Sequence, residues 1–255
     1  MIDMHTHLLF GVDDGPSTIE ETLALIKKAQ EEGITDMICT SHACHPQYDV
    51  QRSEVLSQTA LLKDVLSEAG LDVKLHSGQE IRLTEDLIGK LDRGELLTLS
   101  NSRYLLLELP SQSIPAYTVN IIQSMLEREI IPIIAHPERN RAIAEKPERL
   151  ERLIRHGATA QITSSSLSGH FGKNIQKLSL QLIEANLVHT YGSDVHNLKT
   201  RPFHFGKGLD MLEKKRLYTS AEVLLENNER ILRNEPFFLL EPELAPKKKL
   251  FGFIG

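Results

Sequence analysis

The chain has 255 residues, 40% hydrophobic and 25% charged, with a formal charge of −6. That length accommodates one α/β barrel or two small domains. The absence of Trp, an aromatic content of 5% and the negative balance exclude a stacking platform for single-stranded nucleic acid and a generic polyanion-binding surface.

Short apolar runs alternate with longer amphipathic stretches. The first run, Ile2 to Thr6, leads into the loop Gly11-Val12-Asp13-Asp14-Gly15-Pro16. Ser17 or Thr18 then caps a helix expected from about Ile19 to Glu32, with Gly33 as its stop. The second run is Asp36 to Thr40, followed by a helix over Ser53 to Ala69. Leu71 to His76 forms the third run, and a short helix near Thr84 to Leu91 precedes the fourth, Tyr104 to Leu109. Tyr117 to Glu129 reads as helix and Ile130 to Ala135 as the fifth strand, where Pro132 belongs at a strand start or an unpaired edge. Pro147 to His156 is helical with Pro in its first turn. Thr159 to Thr163 is the sixth strand, Lys173 to Ala185 a helix, and Leu187 to Tyr191 the seventh strand. Helices over Gly206 to Lys214 and Ser220 to Arg233 precede a Pro-containing tail.

Strands that alternate with helices make parallel β/α units. The expected fold is α/β, a distorted seven-stranded (β/α)7 barrel of TIM-barrel-like form, with a doubly wound open sheet as the alternative. One catalytic domain is expected over residues 1–240, with a basic and apolar tail over 241–255. Met-Ile-Asp-Met-His at the N-terminus has neither the basic nor the apolar region of a secretory leader, and no apolar run approaches membrane-spanning length. Cys39 and Cys44 form no disulfide framework, so a cytoplasmic location is expected.

Barrel enzymes build their sites at the C-terminal strand ends. The residues just past the apolar runs are His5 and His7, His42, Glu80, Glu108, His136, and the pair Asp194 and His196. Residues two apart on a strand share a face, so His5 and His7 can bind one ion, and Asp194-x-His196 repeats the spacing. Asp14 can join them from the first loop, and Glu80 can bridge two ions. Imidazole and carboxylate suit Mn²⁺, Fe²⁺ or Zn²⁺. So many ligands imply two or three ions, a clamp that lowers the pKa of a bridging water and neutralises a phosphate. Arg139, Arg141 and Arg201 follow these ligands closely, and Arg suits bidentate phosphate contacts. His76 reads as a packed core residue. His156, His170, His189 and His204 read as structural. The segment His45-Pro46-Gln47-Tyr48 and the Ser-rich stretch Ser164 to Ser168 are expected to line the entrance.

Asp3-Met4-His5-Thr6-His7, Thr40-Ser41-His42, Glu80 with His136, and Asp194-Val195-His196 resemble, in order, the four motifs of the polymerase-and-histidinol-phosphatase (PHP) family. Within it, Gly78-Gln79-Glu80-Ile81-Arg82, Ile134 to Arg141, Gln161-Ile162-Thr163-Ser164, Ser193 to Asn197 and the ending Lys247 to Phe253 are similar to the manganese-dependent bacterial protein-tyrosine phosphatases of capsule and exopolysaccharide clusters. That resemblance implies three Mn²⁺ sites, with Fe²⁺, Zn²⁺ or Mg²⁺ as alternatives. His5, His7, Glu80 and Asp194 would form one; Asp14, His42 and His196 a second; Glu80, Glu108 and His136 the third. Arg139 and Arg201 would hold the phosphate. The implied substrate is phosphotyrosine on partner proteins, chiefly a membrane-associated tyrosine kinase, hydrolysed by metal-activated hydroxide. A histidinol-phosphate phosphatase is the alternative within the family. No Cys-x₅-Arg is present, because His45 and Val50 stand six residues after Cys39 and Cys44, so a phosphocysteine route is excluded. Lys247-Lys248-Lys249 and the apolar residues after it give at most a peripheral contact with an anionic membrane.

Overall fold

The computed structural model describes residues 1–243; the Lys247 to Gly255 tail lies outside them. The strands are β1 (Ile2–Thr6), β2 (Asp36–Cys39), β3 (His42–Ala43), β4 (Lys74–Ser77), β5 (Glu80–Arg82), β6 (Tyr104–Glu108), β7 (Ile131–Ile134), β8 (Thr159–Thr163) and β9 (Thr190–Gly192). Each of the ladders between them is parallel. Every apolar run predicted as a strand overlaps one. β3 and β5 were not predicted: they follow the second and third runs after the breaks Thr40-Ser41 and Gly78-Gln79.

One sheet has the order β1-β2-β4 and the other β3-β5-β6-β7-β8-β9. They meet where Thr6 bridges Val195. There the Asp194 N–H donates to His5 O at 2.8 Å and the His7 N–H to Val195 O at 3.0 Å. On the other flank the Glu80 N–H reaches Thr40 O at 3.1 Å. The parallel sheet is strongly curled, as one apolar cluster reveals: Met4 of β1, Ile38 of β2, Leu106 of β6 and Ile133 of β7 pack together with Leu99, Tyr104 and Ile231. Strands so distant in sheet order can share a cluster only across a concave face. Alternate residues such as Leu105, Leu107 and Ile134 face the helices on the convex side, beside Leu25, Ile122 and Leu150. Burial on both faces explains why these strands read as continuous apolar runs.

β1 departs from this alternation. Asp3 pairs with Met37 and Thr6 with Cys39, so β1 carries one residue more than β2 between those pairs. A bulge of this kind re-aims the side chains that follow it, so that His5 and His7 face the same concave side as Met4.

The helices form where expected, within a few residues at their ends. Thr18 is the N-cap of Ile19–Glu31 and accepts the Glu21 N–H at 3.3 Å, while Glu21 Oε2 takes the Ser17 N–H at 2.7 Å. Pro132 is the second residue of β7, an interior strand between β6 and β8, so its missing donor falls near a strand start and not at a sheet edge. The Ser-rich stretch is a short helix, Ser164–Leu167, and not a loop. The segment after the last helix returns beneath the strands, where the Glu243 N–H donates to Ala185 O at 2.9 Å. No helix among the described residues is long and apolar enough to cross a membrane.

Candidate metal centre

The strand ends bring the predicted side chains into one cluster. Three donor sets have their ligand atoms within 4.8 Å of one another: His5, His7, Glu80 and Asp194; His7, Asp14, His42 and His196; and His42, Glu80 and Glu108. The first is the set expected from sequence. The second is the expected set with His7 added. In the third, His42 stands where His136 was expected, and His136 Nε2 instead lies 2.7 Å from Glu80 Oε1. Glu80 occupies the middle, with Oε2 at 3.4 Å from His5 Nε2, 3.3 Å from His7 Nε2 and 3.2 Å from His42 Nδ1. β3 and β5 account for this, since His42 pairs directly with Glu80 across the ladder. Asp194 and His136 hold their positions in left-handed backbone, with φ of 54° and 32°, a local cost typical of functional sites.

The donor atoms fit divalent ions. His42 Nδ1, Glu80 Oε2 and Asp194 Oδ1 are buried without a hydrogen-bond partner, and all three face the centre. Buried polar atoms are normally satisfied, and a bound cation would satisfy these. The charges agree. Burial opposes ionisation of Glu80 and Asp194, yet the surrounding imidazoles, and for Asp194 the Arg139 and Arg201 guanidinium groups, hold both carboxyls well below the usual range. Asp14 is held low against its own burial by His196 and His42. Burial and repulsion from Glu80 push Glu108 up to about 7. Burial also disfavours protonated His5 and His7. For His5, Glu80 and Asp194 overcome it, and for His7, Asp13 raises the pKa to about 10. Burial holds His136 and His196 down at about 4, with help from Arg139 and His7 respectively, so both rings are neutral at pH 7. A site so rich in carboxylates calls for positive charge, and protons and metal ions compete to supply it.

Arg139 and Arg201 converge on the same oxygen, Asp194 Oδ2, at 2.5 and 2.6 Å. Arg201 Nη1 also lies 3.2 Å from Asp14 Oδ2 and 2.6 Å from His196 Nε2. Both line a cavity of about 360 Å³ with Asp14, His42, Glu80, Glu108 and His136. His45, Gln47 and Tyr48 form its rim, as expected. The Ser164 to Ser168 stretch is not part of the lining, because Ser164, Ser165 and Ser166 are buried, and Thr163 Oγ1 bonds both Ser166 and Glu138. Arg141 is outside as well, exposed and paired with Glu145 at 3.2 Å. His76 is a half-buried partner of Asp36 at 2.8 Å and not a core residue. Burial pushes the Cys39 thiol up to about 12 and raises Cys44 too, so neither offers a thiolate.

Three supporting residues were not singled out from sequence. Asp13 Oδ2 lies 2.9 Å from His7 Nδ1 and turns the other ring nitrogen inward. Gln161 Oε1 lies 3.1 Å from His5 Nδ1 and accepts the His136 N–H at 3.3 Å. Arg82 Nε stands 3.0 Å from Glu108 Oε2. A glutamine inside an apolar strand was the signal available for Gln161. Asp13 offered none that separates it from the neighbouring Asp14.

The family model described as "Capsular polysaccharide synthesis, CpsB/CapC" matches residues 1–233. CapC of Staphylococcus aureus is 41% identical over 255 residues, covering 100% of both chains. The tyrosine-protein phosphatase YwqE of Bacillus subtilis is 38% identical over 253 residues, 99% of this chain and 100% of its own. The tyrosine-protein phosphatase CpsB of Streptococcus pneumoniae is 32% identical over 90% of this chain and 97% of its own. A crystal structure from the work on YwqE and CpsB, described as metal-dependent tyrosine phosphatases, superposes with a TM-score of 0.93 at 37% identity, covering 96% of this chain and 99% of that one. Matched over nearly its whole described length, the chain belongs to the CpsB/CapC family of capsular polysaccharide synthesis.

Proposed function

We propose that this chain is a metal-dependent protein-tyrosine phosphatase that hydrolyses phosphotyrosine on partner proteins in the cytoplasm, chiefly a membrane-associated tyrosine kinase of the same capsule system. The observation that carries the reading is the convergence of unpartnered His42 Nδ1, Glu80 Oε2 and Asp194 Oδ1 beneath two guanidinium groups in one open cavity. The names of the relatives support the substrate class. On this reading residues 1–240 form one catalytic domain. The strands form a seven-stranded barrel, in which β2 with β3 and β4 with β5 are single interrupted strands and the Thr6–Val195 bridge closes the ring.

His5, His7, Glu80 and Asp194 would hold one ion, Asp14, His42 and His196 a second, and Glu80, Glu108 and His136 a third, with Glu80 shared and His42 within reach of the third set as well. The mixed imidazole and carboxylate set suits Mn²⁺, Fe²⁺ or Zn²⁺ alike; the resemblance to manganese-dependent phosphatases is what supports Mn²⁺, with Fe²⁺, Zn²⁺ and Mg²⁺ as alternatives. Such ions supply charge neutralisation and a water of lowered pKa. Arg139 and Arg201 would turn N–H groups to the phosphate oxygens; Asp194 Oδ2 aligns the two forks by holding Nη2 of each, and Arg201 Nη1 is held by Asp14 and His196 as well. Neutral His136 and His196 carry an imidazole lone pair at neutral pH; that of His196 Nε2 accepts from Arg201 Nη1, which a bound ion would displace.

The test is phosphate release from a phosphotyrosine peptide by metal-stripped protein before and after addition of Mn²⁺. Turnover should appear only with metal and be lost in His136→Ala. Hydrolysis of histidinol phosphate, with no turnover of the peptide under any metal, would overturn the substrate assignment and leave the metal site standing.

A further inference from the structure

Two rings at the mouth of the cavity are used neither by the donor sets nor by the phosphate-binding arginines. His45 and Tyr48 lie on the turn between β3 and the helix Arg52–Glu68. That turn is firmly built. The Val50 N–H donates to His42 O at 2.9 Å and the Cys44 N–H to Asp49 Oδ1 at 2.6 Å. Cys44 adopts a left-handed φ of 58°. His45 Nδ1 accepts the Gln47 N–H at 3.2 Å, which fixes the imidazole and places its proton on Nε2.

The result is a set of nearly parallel rings. His45 stacks on His42 with centroids 4.8 Å apart and planes at 26°. Tyr48 lies 5.6 Å from His45 at 18° and 5.9 Å from His42 at 13°. Both outer rings are only half-buried, so part of their surface is open to a ligand. They line the same cavity as Arg139 and Arg201, whose volume suits a small organic group. Flat π faces stack against another aromatic ring, which adds to the burial that an alkyl chain would also gain.

Building on the phosphatase reading above, we propose that His45 and Tyr48 form the wall that receives the phenyl ring of the substrate, so that this site selects aryl over alkyl phosphomonoesters. The phosphate binds at the arginines, the ring lies against the wall, and the peptide runs out over the Pro46–Gln47 rim, where both residues are exposed. His45 and Tyr48 act on binding and selectivity, apart from the bond-breaking step.

The experiment measures, by calorimetry on Mn²⁺-loaded protein, the Kd of phenylphosphonate and of inorganic phosphate, and in parallel kcat/KM for a phosphotyrosine peptide. Tyr48→Ala and His45→Ala should weaken phenylphosphonate about five- to tenfold, leave inorganic phosphate and Mn²⁺ content unchanged, and raise KM while sparing kcat. Tyr48→Phe, which keeps the ring, should behave as the parent. Equal weakening of both probes, or no weakening of phenylphosphonate, overturns the wall and leaves the phosphatase reading intact. Failure of the parent protein both to bind either probe and to hydrolyse the peptide overturns the two together.

Discussion

Asp13 touches no proposed ion, yet removing it should cost much of the metal affinity. Its Oδ2 lies 2.9 Å from His7 Nδ1 and accepts the His42 N–H at 3.2 Å, and its Oδ1 accepts the Gly15 N–H at 3.0 Å. Burial opposes its ionisation, but His7 holds its pKa down at about 2, so it is charged throughout the useful pH range. Asp13→Ala leaves the His7, His42 and Gly15 donors unpaired in a buried place, at about 1–3 kcal/mol each where water cannot enter. It also frees the ring whose Nε2 belongs to two of the donor sets. Loss of the carboxylate behind a ligating histidine lowers metal affinity about 10- to 100-fold, or about 1.4–2.7 kcal/mol. Asp13→Asn should fall at the mild end, because its amide can satisfy His7 but must then turn its NH₂ toward the Gly15 N–H. The assay is Mn²⁺ affinity by competition with a fluorescent chelator at pH 7, paired with phosphate release at saturating Mn²⁺. Excess metal should restore most turnover in the Asn variant. Affinities within twofold of the parent in both variants would refute the orienting role.

Arg139→Ala should lower kcat/KM for a phosphotyrosine peptide about 10²- to 10³-fold. Arg139→Lys should recover only part of it, because a point charge cannot replace the planar fork; steady-state kinetics with metal content measured on the same samples checks both. Gly192→Ala would set a Cβ 2.8 Å from His5 Cβ and 3.1 Å from Gln161 Nε2. We expect about 1–3 kcal/mol of destabilisation and a loss of bound metal, and an unchanged melt with full metal content would contradict the close approach of β9 to β1. His189 is buried with Nδ1 accepting the Ala160 N–H at 3.1 Å, and burial lowers its pKa from 6.5 to about 4. In that interval the unfolded chain binds the extra proton, so stability should fall as pH drops, by about 1.4 kcal/mol per unit from this residue. Denaturant titrations of metal-free protein at pH 7, 6 and 5 should show that slope reduced in His189→Gln, and equal slopes would refute it.

The clustered positions were legible because parallel strands buried on both faces advertise themselves as apolar runs, and polar residues at or shortly past the end of a run mark a strand end. His136 follows its run directly, His5 and Glu108 lie next to last in theirs, and His42 and Asp194 stand two and three residues beyond. β3 and β5 escaped because two- and three-residue strands carry no period, and their polar lead-ins, Thr40-Ser41 and Gly78-Gln79, read as loops. The choice between His42 and His136 beside Glu108 depends on the offset these breaks introduce, which is a matter of register between distant segments. Asp13 and Asp14 are chemically equal in sequence. Only the fold turns one toward His7 Nδ1 and the other toward His42 and His196. The Ser164 to Ser168 stretch misled because serine favours loops by composition, whereas here Thr163 and Ser166 bond each other and Thr163 bonds Glu138.

The Thr6–Val195 bridge has a consequence for the chain during synthesis. A nascent polypeptide that has emerged only as far as β8 already carries His5, His7, Asp14, His42, Glu80, Glu108 and His136, but it lacks Asp194, His196 and the strand that pins His5 and His7 in place. Ions that meet such a chain find imidazoles and carboxylates without the geometry that makes them bind tightly. Pairing the first strand with the last closes a very long loop, so it belongs among the late events of folding. Tight metal binding is therefore expected only after β9 has paired with β1, and a chain truncated before β9 should bind Mn²⁺ weakly.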